Sequence, residues 1–316
     1  MLTKTLFHFA REDPLLKLQN IQTPNFQSLM QKLYFEINQI TNKPLKADLY
    51  LSENYAKTEI NPILKPINII IHGFKGFRTW GFIPTLATHI AENIGPTLAI
   101  DFSLDGTEDR DGEIYYNNDD FRKNTISQML LEINSLINYI FEGKLSDELN
   151  SSFNGEINLI GHSMGGALSI ITAFEDQKIS KICLWATPSK LIWNTDRQKS
   201  EWREKGFIEI KIQSTGQILC LDIGYLEDKE NNLVRFDLLK SISGIEIPIC
   251  IIHGKQDFTV RINSAEELRD SAQKSNNLDY KIIEKCNHVF NSTHPFGEIK
   301  QPLSESISHT IRFLRS

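Results

Sequence analysis

Three side chains that together could activate a nucleophile each follow a short apolar run of the chain: Ser163, Asp257 and His288. A serine hydroxyl is a weak nucleophile at neutral pH, so it needs a base to take its proton and an acid that holds this base in the right tautomer. In open α/β sheets such groups meet at the carboxyl ends of parallel strands. The interval from Asp257 to His288 leaves room for one helix and one strand, so the three residues are predicted to form a catalytic triad.

The segment around the serine has the pattern Gly-x-Ser-x-Gly, because residues 161–166 read Gly-His-Ser-Met-Gly-Gly. An apolar run at 157–160 precedes it and a run suited to a helix follows at 167–171, which predicts strand, sharp turn and helix. The glycines remove side chains that would collide where the strand and the helix approach each other. We therefore expect a nucleophile elbow that lifts the hydroxyl of Ser163 clear of the sheet.

The acid and the base of the predicted triad each have rivals nearby. Glu284 and Asp279 are alternatives to Asp257, but one is placed at the end of a predicted strand and the other at its start. His294 is the alternative to His288, which is favoured because it stands closer to the end of the strand at 278–283.

The triad also needs donors for the negative oxygen that develops on an attacked carbonyl. Such an oxyanion hole is built from backbone N–H groups, each worth about 3 kcal/mol of barrier in known cases. One donor is predicted to be the N–H of Met164, directly after the nucleophile. The other is predicted to be the N–H of Phe74, because the loop after the third predicted strand reads Ile-His-Gly-Phe-Lys-Gly over 71–76 and its glycines let the backbone come close.

Three further histidines are predicted to be packed side chains. His72 and His253 each stand in a His-Gly pair after a strand, with no carboxylate or second histidine at the sequence spacing typical of metal ligands. His162 is expected to pack beside the nucleophile. The sequence thus predicts no metal site and no organic cofactor.

The loop after the strand at 97–102 is crowded with carboxylates, whose spacing does not match a calcium-binding loop. It is predicted to be a solvated acidic loop near the mouth of the site. The residues concerned are Asp101, Asp105, Glu108, Asp109 and Asp111.

Apolar periodicity supplies the elements that must position these groups. β-branched runs predict strands buried on both faces, and 3.6-residue spacing predicts helices between them. The strands are placed at 32–38, 45–51, 66–71, 97–102, 157–160, 181–185, 247–252 and 278–283, and the helices at 80–94, 119–140, 167–171, 264–275 and 303–314. The segments 103–118 and 143–154 are predicted to be a loop and a polar linker.

This alternation predicts an α/β fold with one mostly parallel central sheet, helices on both faces and one inserted lid. Residues 1–28 are interpreted as an N-terminal extension, 29–316 as the main domain, and 189–244 as the inserted lid or cap. Aromatic residues of the lid could line a pocket for an acyl group or form the lid's own small core. They are Trp193, Trp202, Phe207 and Tyr225.

Composition narrows the class of protein. The 316 residues are 40% hydrophobic and 23% charged, which is ordinary for a globular protein. A net charge of −6 argues against a nucleic-acid or anionic-membrane partner. No apolar run approaches the roughly 20 residues of a membrane-spanning helix.

The four cysteines are scattered without a Cys-x-x-Cys pair, which is typical of thiols in a reducing compartment. The apolar patch within residues 1–14 is too short for a signal peptide and is broken by charged residues, so a cytoplasmic location is expected. Cys286 stands two residues from His288 and is interpreted as a bystander.

With these motifs together, the chain resembles an α/β-hydrolase-fold serine hydrolase over roughly residues 30–316. The features that carry the resemblance are His72-Gly73 after the third strand, the elbow, His253-Gly-x-x-Asp257 and a late histidine. The longer sequence segments at 72–82 and 288–296 resemble those of a bacterial esterase subgroup. This subgroup is close to dienelactone-hydrolase-like, feruloyl-esterase-like and serine-aminopeptidase-like enzymes. The nucleophile is Ser163 rather than the cysteine of true dienelactone hydrolases, so that substrate is not carried over.

The resemblance implies hydrolysis of carboxylic esters through an acyl-enzyme, with a small-molecule ester as partner. The same triad could cleave an amide or a thioester, as in aminopeptidase-like or thioesterase relatives. A non-catalytic binding module is the alternative from another class, but such reuse usually loses a triad member. Nucleophile variants that use aspartate are excluded by Ser163 itself.

Overall fold

The structure is a computed structural model and describes residues 16–20, 30–38, 43–52, 64–110, 113–191, 194–212 and 216–316. The strands in chain order are β1 (Leu16–Asn20), β2 (Met30–Asn38), β3 (Pro44–Ser52), β4 (Lys65–Ile71), β5 (Thr97–Asp101), β6 (Thr107–Arg110), β7 (Glu113–Tyr116), β8 (Phe153–His162), β9 (Ile179–Trp185), β10 (Phe207–Lys211), β11 (Ile218–Asp222), β12 (Ile249–Gly254) and β13 (Leu278–Ile283). The helices are α1 (Ile83–Asn93), α2 (Asn118–Phe121), α3 (Ile126–Phe141), α4 (Asp147–Ser152), α5 (Met164–Glu175), α6 (Asp196–Lys205), α7 (Ile223–Asn231), α8 (Leu238–Ser243), α9 (Asn263–Ser271) and α10 (Gln301–Arg315).

A nine-stranded sheet forms the centre, in the order β1-β2-β3-β5-β4-β8-β9-β12-β13. The first four strands of this order pair antiparallel, and every pairing from β5 to β13 is parallel. Helices cover both faces: α1 and α10 pack in one buried cluster, and α3, α5, α8 and α9 in the other. The predicted α/β architecture with a mostly parallel sheet is confirmed.

Apolar patterning explains why these elements form. The central strands β4, β5, β8, β9 and β12 are buried on both faces at their carboxyl halves, as continuous β-branched runs require. The helix α3 buries a stripe at 3.6-residue spacing against the sheet. Its buried residues include Met129, Leu130, Ile133, Leu136, Ile137 and Ile140.

Three local predictions are wrong. The loop predicted at 103–118 contains the hairpin of β6 and β7, whose alternating polar residues hide the strand signal. The single helix predicted at 119–140 is two helices, because Thr125 is extended and its hydroxyl accepts from the N–H of Gln128, starting α3 afresh. The predicted linker at 143–154 contains α4, which Ser146 caps in the same way.

The predicted lid carries α6, β10, β11, α7 and α8. It is tied to the segment before α3 by Arg122, which pairs with Asp222 at 2.8 Å, and to the first turn of α3 by Ser127, whose N–H donates to Asp228 at 2.9 Å. The predicted extension contains β1, which pairs antiparallel with β2 of the main domain. Residues 1–15 and 21–29 lie outside the described residues. The division into extension, main domain and lid stays a prediction. None of the described helices has the length and apolar character to cross a membrane.

Candidate active site

The turn between β8 and α5 holds Ser163 in a strained conformation, with φ 54° and ψ −118°. Glycines permit the close packing around it. A Cβ on Gly165 would collide with the carbonyl oxygens of Ile71 and His72, and a Cβ on Gly161 would collide with the backbone of Gly165. The geometry is that of the predicted elbow, and it presents the hydroxyl at the carboxyl end of the sheet.

Ser163, His288 and Asp257 are brought together by three different parts of the chain. The Nε2 atom of His288 lies 3.1 Å from the Oγ atom of Ser163, and its Nδ1 atom lies 2.7 Å from Oδ2 of Asp257. Asp257 follows β12 and His288 follows β13, so both stand beyond strand carboxyl ends. The hydrogen bonds run continuously from the carboxylate to the hydroxyl.

Asp257 is held as a carboxylate. Its Oδ1 atom accepts from the backbone N–H groups of Thr259, at 2.9 Å, and Val260, at 2.8 Å. Burial opposes its ionisation, but the hydrogen bond and charge of His288 and the N–H of Val260 outweigh burial and lower its pKa. His253 donates through Nε2 to the carbonyl of Val260 at 2.8 Å and so braces the same turn.

The rivals for the acid and the base lie elsewhere. Glu284 is exposed and pairs with Lys255 at 2.6 Å, and Asp279 pairs with His309 at 2.9 Å. His294 lines the same pocket as Ser163, but its Nδ1 atom accepts from the N–H of Gly81 at 3.1 Å.

His162 packs beside Ser163 and His288, as the sequence predicts. Its ring lies 5.0 Å from the ring of His288 and edge-on to Phe82 at 5.3 Å. Because a carbonyl oxygen can only accept, the contact of Nε2 with the carbonyl of His288, at 3.0 Å, fixes the proton on Nε2. Burial, aided by the charge of His288, lowers the pKa of His162 to about 3.

The loop from His72 to Gly76 brings Phe74 to the pocket beside Ser163. Gly73 packs so closely that an added Cβ would lie 3.0 Å from the Cβ of Ser163. Tyr116 holds the far side of the loop by donating to the carbonyl of Lys75 at 2.8 Å. Within the described part of the chain, the N–H groups of Phe74 and Met164 donate to no other protein group.

Two of the carboxylates predicted to lie in a solvated loop are buried, and the first of them, Asp101, is the last residue of β5, which corrects the prediction for both. Asp101 is 1% exposed and Asp105 is 7% exposed. Asp101 accepts from the backbone N–H and the guanidinium of Arg78, whose Nε also lies 3.2 Å from buried Asp48. The sequence spacing concealed this because the neutralising cation comes from the loop after β4.

The remaining members of the loop differ. Glu108 accepts from Asn117 at 3.0 Å. The side chain of Asp109 and the whole of Asp111 lie outside the described residues.

Two clusters of described residues could offer ligands to a cation. His72, Asp101 and Asp105 form one, but the guanidinium of Arg78 already neutralises Asp101. The other consists of Cys250, Asp279 and His309.

In the second cluster, Arg312 donates to Nδ1 of His309 at 2.6 Å, so the ring proton is on Nε2. That proton faces Asp279 at 2.9 Å rather than leaving a lone pair for a metal.

The hydroxyl of Ser163 opens into a cleft of about 430 Å³. Trp80 and His294 form part of its wall, with their rings stacked at 6.2 Å. Nδ1 of His294 accepts from a backbone N–H and burial lowers its pKa, so the neutral ring carries its proton on Nε2. Among the described residues that line the cleft there is no carboxylate.

The lid aromatics form a core rather than a pocket wall where they are described. Trp202 is 1% exposed, donates to the carbonyl of Leu221 at 3.1 Å and stacks on Tyr225 at 6.3 Å. Phe207 is half-buried, and Trp193 lies outside the described residues. Among the described lid residues, Ile212 lines the cleft.

Sequence reasoning missed two features of the site. The pairing of Arg78 with Asp48 and Asp101 joins three separate segments, so no local pattern could reveal it. The place of His294 in the cleft wall could have been suspected from the clustered histidines and aromatic residues at 288–296. Cys286 is buried, and burial raises its thiol pKa to about 12, which agrees with a bystander.

A family model described as "Putative esterase" matches residues 39–309 of the chain. Among solved structures, Est1E from Butyrivibrio proteoclasticus with ferulic acid bound has 19% identity and a TM-score of 0.62, covering 89% of this chain and 97% of its own. The esterase Pf2001 of Pyrococcus furiosus has 16% identity and a TM-score of 0.56, covering 95% and 97%. A "Putative Dienelactone Hydrolase" of Klebsiella pneumoniae has 12% identity and a TM-score of 0.55, covering 91% and 99%. At these identities the structural matches establish the fold. Among curated proteins, none matches the chain.

Replacing His162 tests how burial beside Ser163 shifts the pKa of its ring. The pKa of the ring is about 6.5 when exposed and about 3 in the fold, so the unfolded chain binds the proton first as pH falls. The stability that the neutral ring contributes is complete above pH 6.5 and is lost as pH falls toward 3. In His162→Gln, whose amide N–H can still donate to His288, the drop in unfolding free energy between pH 7 and pH 5 should be about 2 kcal/mol smaller. Urea unfolding of both proteins at pH 7 and pH 5 measures this difference. Equal drops in wild type and His162→Gln would contradict the lowered pKa of His162.

Proposed function

The chain belongs to this esterase family and is a hydrolase that acts on ester bonds, and from that premise we propose that it works through an acyl-enzyme formed on Ser163. The observation that carries the proposal is the continuous contact from Oγ of Ser163 to Nε2 of His288, at 3.1 Å, and from Nδ1 to Asp257, at 2.7 Å. In this arrangement the serine has a base within reach and the base has an acid that fixes its tautomer.

In the proposed acylation step, Oγ of Ser163 attacks the ester carbonyl while His288 takes its proton. The carbonyl oxygen becomes an oxyanion, which accepts from the N–H groups of Met164 and Phe74. Asp257 stabilises the imidazolium that forms on His288. The tetrahedral intermediate then breaks its bond to the alcohol oxygen, which leaves with the proton from His288.

In the proposed deacylation step, water attacks the acyl group on Ser163 and gives a proton to His288. The second tetrahedral intermediate forms in the same oxyanion hole. When its bond to Oγ breaks, His288 returns the proton to the serine and the carboxylic acid leaves. Atoms and charge balance without any further reactant.

The chemistry of the cleft supports esters over peptides as substrates. An aminopeptidase must hold a substrate ammonium, and burying an unpaired charge is costly. The described lining offers no carboxylate for that purpose, while Trp80 and His294 offer an aromatic wall and one N–H donor. The Butyrivibrio structure has ferulic acid bound, an aromatic acid without positive charge, so we propose uncharged or anionic esters with small or aromatic acyl groups. A cytoplasmic location stays a prediction from the cysteines.

The choice of base is tested by replacing, one at a time, two histidines that line the same cleft. His288→Ala should lower kcat on a p-nitrophenyl ester by about 10³-fold or more, because the hydroxyl loses its proton acceptor. His294→Ala is the matched control and should lower kcat far less, since it lies outside the hydrogen bonds to Ser163. Steady-state kinetics measure both. If His294→Ala were the more damaged variant, the assignment of the base would be wrong.

The preference for uncharged acyl groups is tested with two isosteric p-nitrophenyl esters. The neutral 5,5-dimethylhexanoate and the cationic 4-(trimethylammonio)butanoate have the same shape and differ in charge. We expect kcat/KM to be at least about 10-fold higher for the neutral ester, because the cation finds no carboxylate in the cleft. A preference for the cationic ester would contradict the proposed substrate class.

A further inference from the structure

A buried histidine and a buried aspartate stand directly behind the loop that carries Phe74. His72 is 3% exposed and Asp105 is 7% exposed. The Nδ1 atom of His72 lies 2.8 Å from the carbonyl oxygen of Gly73, and its Nε2 atom lies 3.5 Å from Oδ2 of Asp105. Neither residue has a part in the acyl transfer described above.

The contacts of His72 determine where its protons are. A carbonyl oxygen can only accept, so Nδ1 carries a proton and donates it to Gly73. A neutral ring would then turn a bare Nε2 toward the carboxylate of Asp105, and these two atoms have no other hydrogen-bond partner within the described residues. A second proton between them removes the repulsion. Burial raises the pKa of Asp105, but its Oδ1 atom accepts two hydrogen bonds from Thr107, which favour the charged carboxylate, so the second proton is assigned to His72 as an imidazolium.

The titratable groups around the pair of His72 and Asp105 must also be considered. Asp101 also faces the ring, but Arg78 neutralises it. The other titratable neighbours are His162, which burial keeps neutral, together with Tyr116 and Glu132 near Asp105. Burial lowers the pKa of His72, but the hydrogen bond and charge of Asp105 outweigh it and leave the pKa raised.

The hydrogen bond to Gly73 acts on the peptide that carries the N–H of Phe74. In a trans peptide the C=O and the N–H point in opposite directions, so fixing one aims the other. The carbonyl of Gly73 accepts from His72 and, at 2.9 Å, from the N–H of Gly76. A cation that donates to this carbonyl also draws electron density from the peptide and makes its N–H a stronger donor.

We propose that His72 is a positioning residue of the oxyanion hole: as an imidazolium held by Asp105, it fixes and polarises the Gly73–Phe74 peptide so that its N–H stabilises the oxyanion. This inference rests on the proposed function, since it concerns the acyl transfer at Ser163. It predicts an effect on kcat from two buried residues that take no part in bond making or breaking.

Three variants separate the hydrogen bond from the charge. Asp105→Asn keeps an acceptor for Thr107, whose N–H and hydroxyl both lie 2.7 Å from Oδ1, and its amide can donate to a neutral His72. It therefore removes only the charge. His72→Leu removes both the charge and the hydrogen bond, and His72→Asn restores a donor next to the carbonyl of Gly73.

A matched control exists in α1. The Nδ1 atom of His89 donates to the carbonyl of Thr85 at 2.8 Å, which is the same contact at a distance from the cleft. His89→Leu should leave kcat unchanged.

The experiment measures kcat and KM for a p-nitrophenyl ester, with unfolding midpoints to show that each variant is folded. We expect His72→Leu to lower kcat by about 10-fold or more with KM within about twofold, because the lost interaction forms in the transition state. Asp105→Asn should lower kcat by a smaller factor, and His72→Asn should recover part of the loss. A purely structural role would lower the unfolding midpoint and leave kcat of the folded protein unchanged.

The proposal is overturned if kcat of folded His72→Leu stays within twofold of wild type, or if His72→Asn is no more active than His72→Leu. Should His72→Leu fail to fold, Asp105→Asn decides, and an unchanged kcat in that variant overturns the proposal. A wild type without ester turnover would instead refute the proposed function, so the two failures are distinguishable.

Discussion

The site depends on the close contact between the start of α5 and the carboxyl end of β4. Gly165 packs so closely against the carbonyl oxygens of Ile71 and His72 that an added Cβ would collide with them. Gly73 packs against Ser163 in the same way, since its added Cβ would lie 3.0 Å from the Cβ of Ser163. This contact places the strained turn of the serine against the loop of Phe74. Any side chain at Gly165 would separate the two, so the glycines are required by backbone packing as well as by the turn itself.

Buried charges hold the loop on its other side. Arg78 joins Asp48 of β3 to Asp101 of β5 and so anchors the segment that follows His72. Removing one partner from such a buried set leaves an uncompensated charge, which costs far more than the loss of an exposed pair. The proposed pair of His72 and Asp105 extends this arrangement to the Gly73–Phe74 peptide beside Ser163. The same low polarity that makes these charges costly to isolate strengthens their effect on neighbouring dipoles.

The sequence predicts what local patterns encode. The apolar runs identified the central strands, and the Gly-x-Ser-x-Gly turn with its flanking strand and helix identified the elbow. The intervals from Ser163 to Asp257 and His288 predicted residues that the structure brings together, and their roles stay proposals. The burial of Asp101 and Asp105 could not be predicted, because their partners Arg78 and His72 lie in another loop. The break before α3 was missed because Asp119 and Asp120 indicated one helix start, whereas α3 begins at a second cap, Thr125.

The central claim is that Ser163 is an activated nucleophile, and covalent labelling tests it most directly. Wild type and Ser163→Ala would be incubated with a fluorophosphonate, and the intact masses measured in parallel with their circular dichroism. The account predicts one stoichiometric adduct on wild type and none on the equally folded variant. An adduct on both proteins, or none on folded wild type, would contradict it.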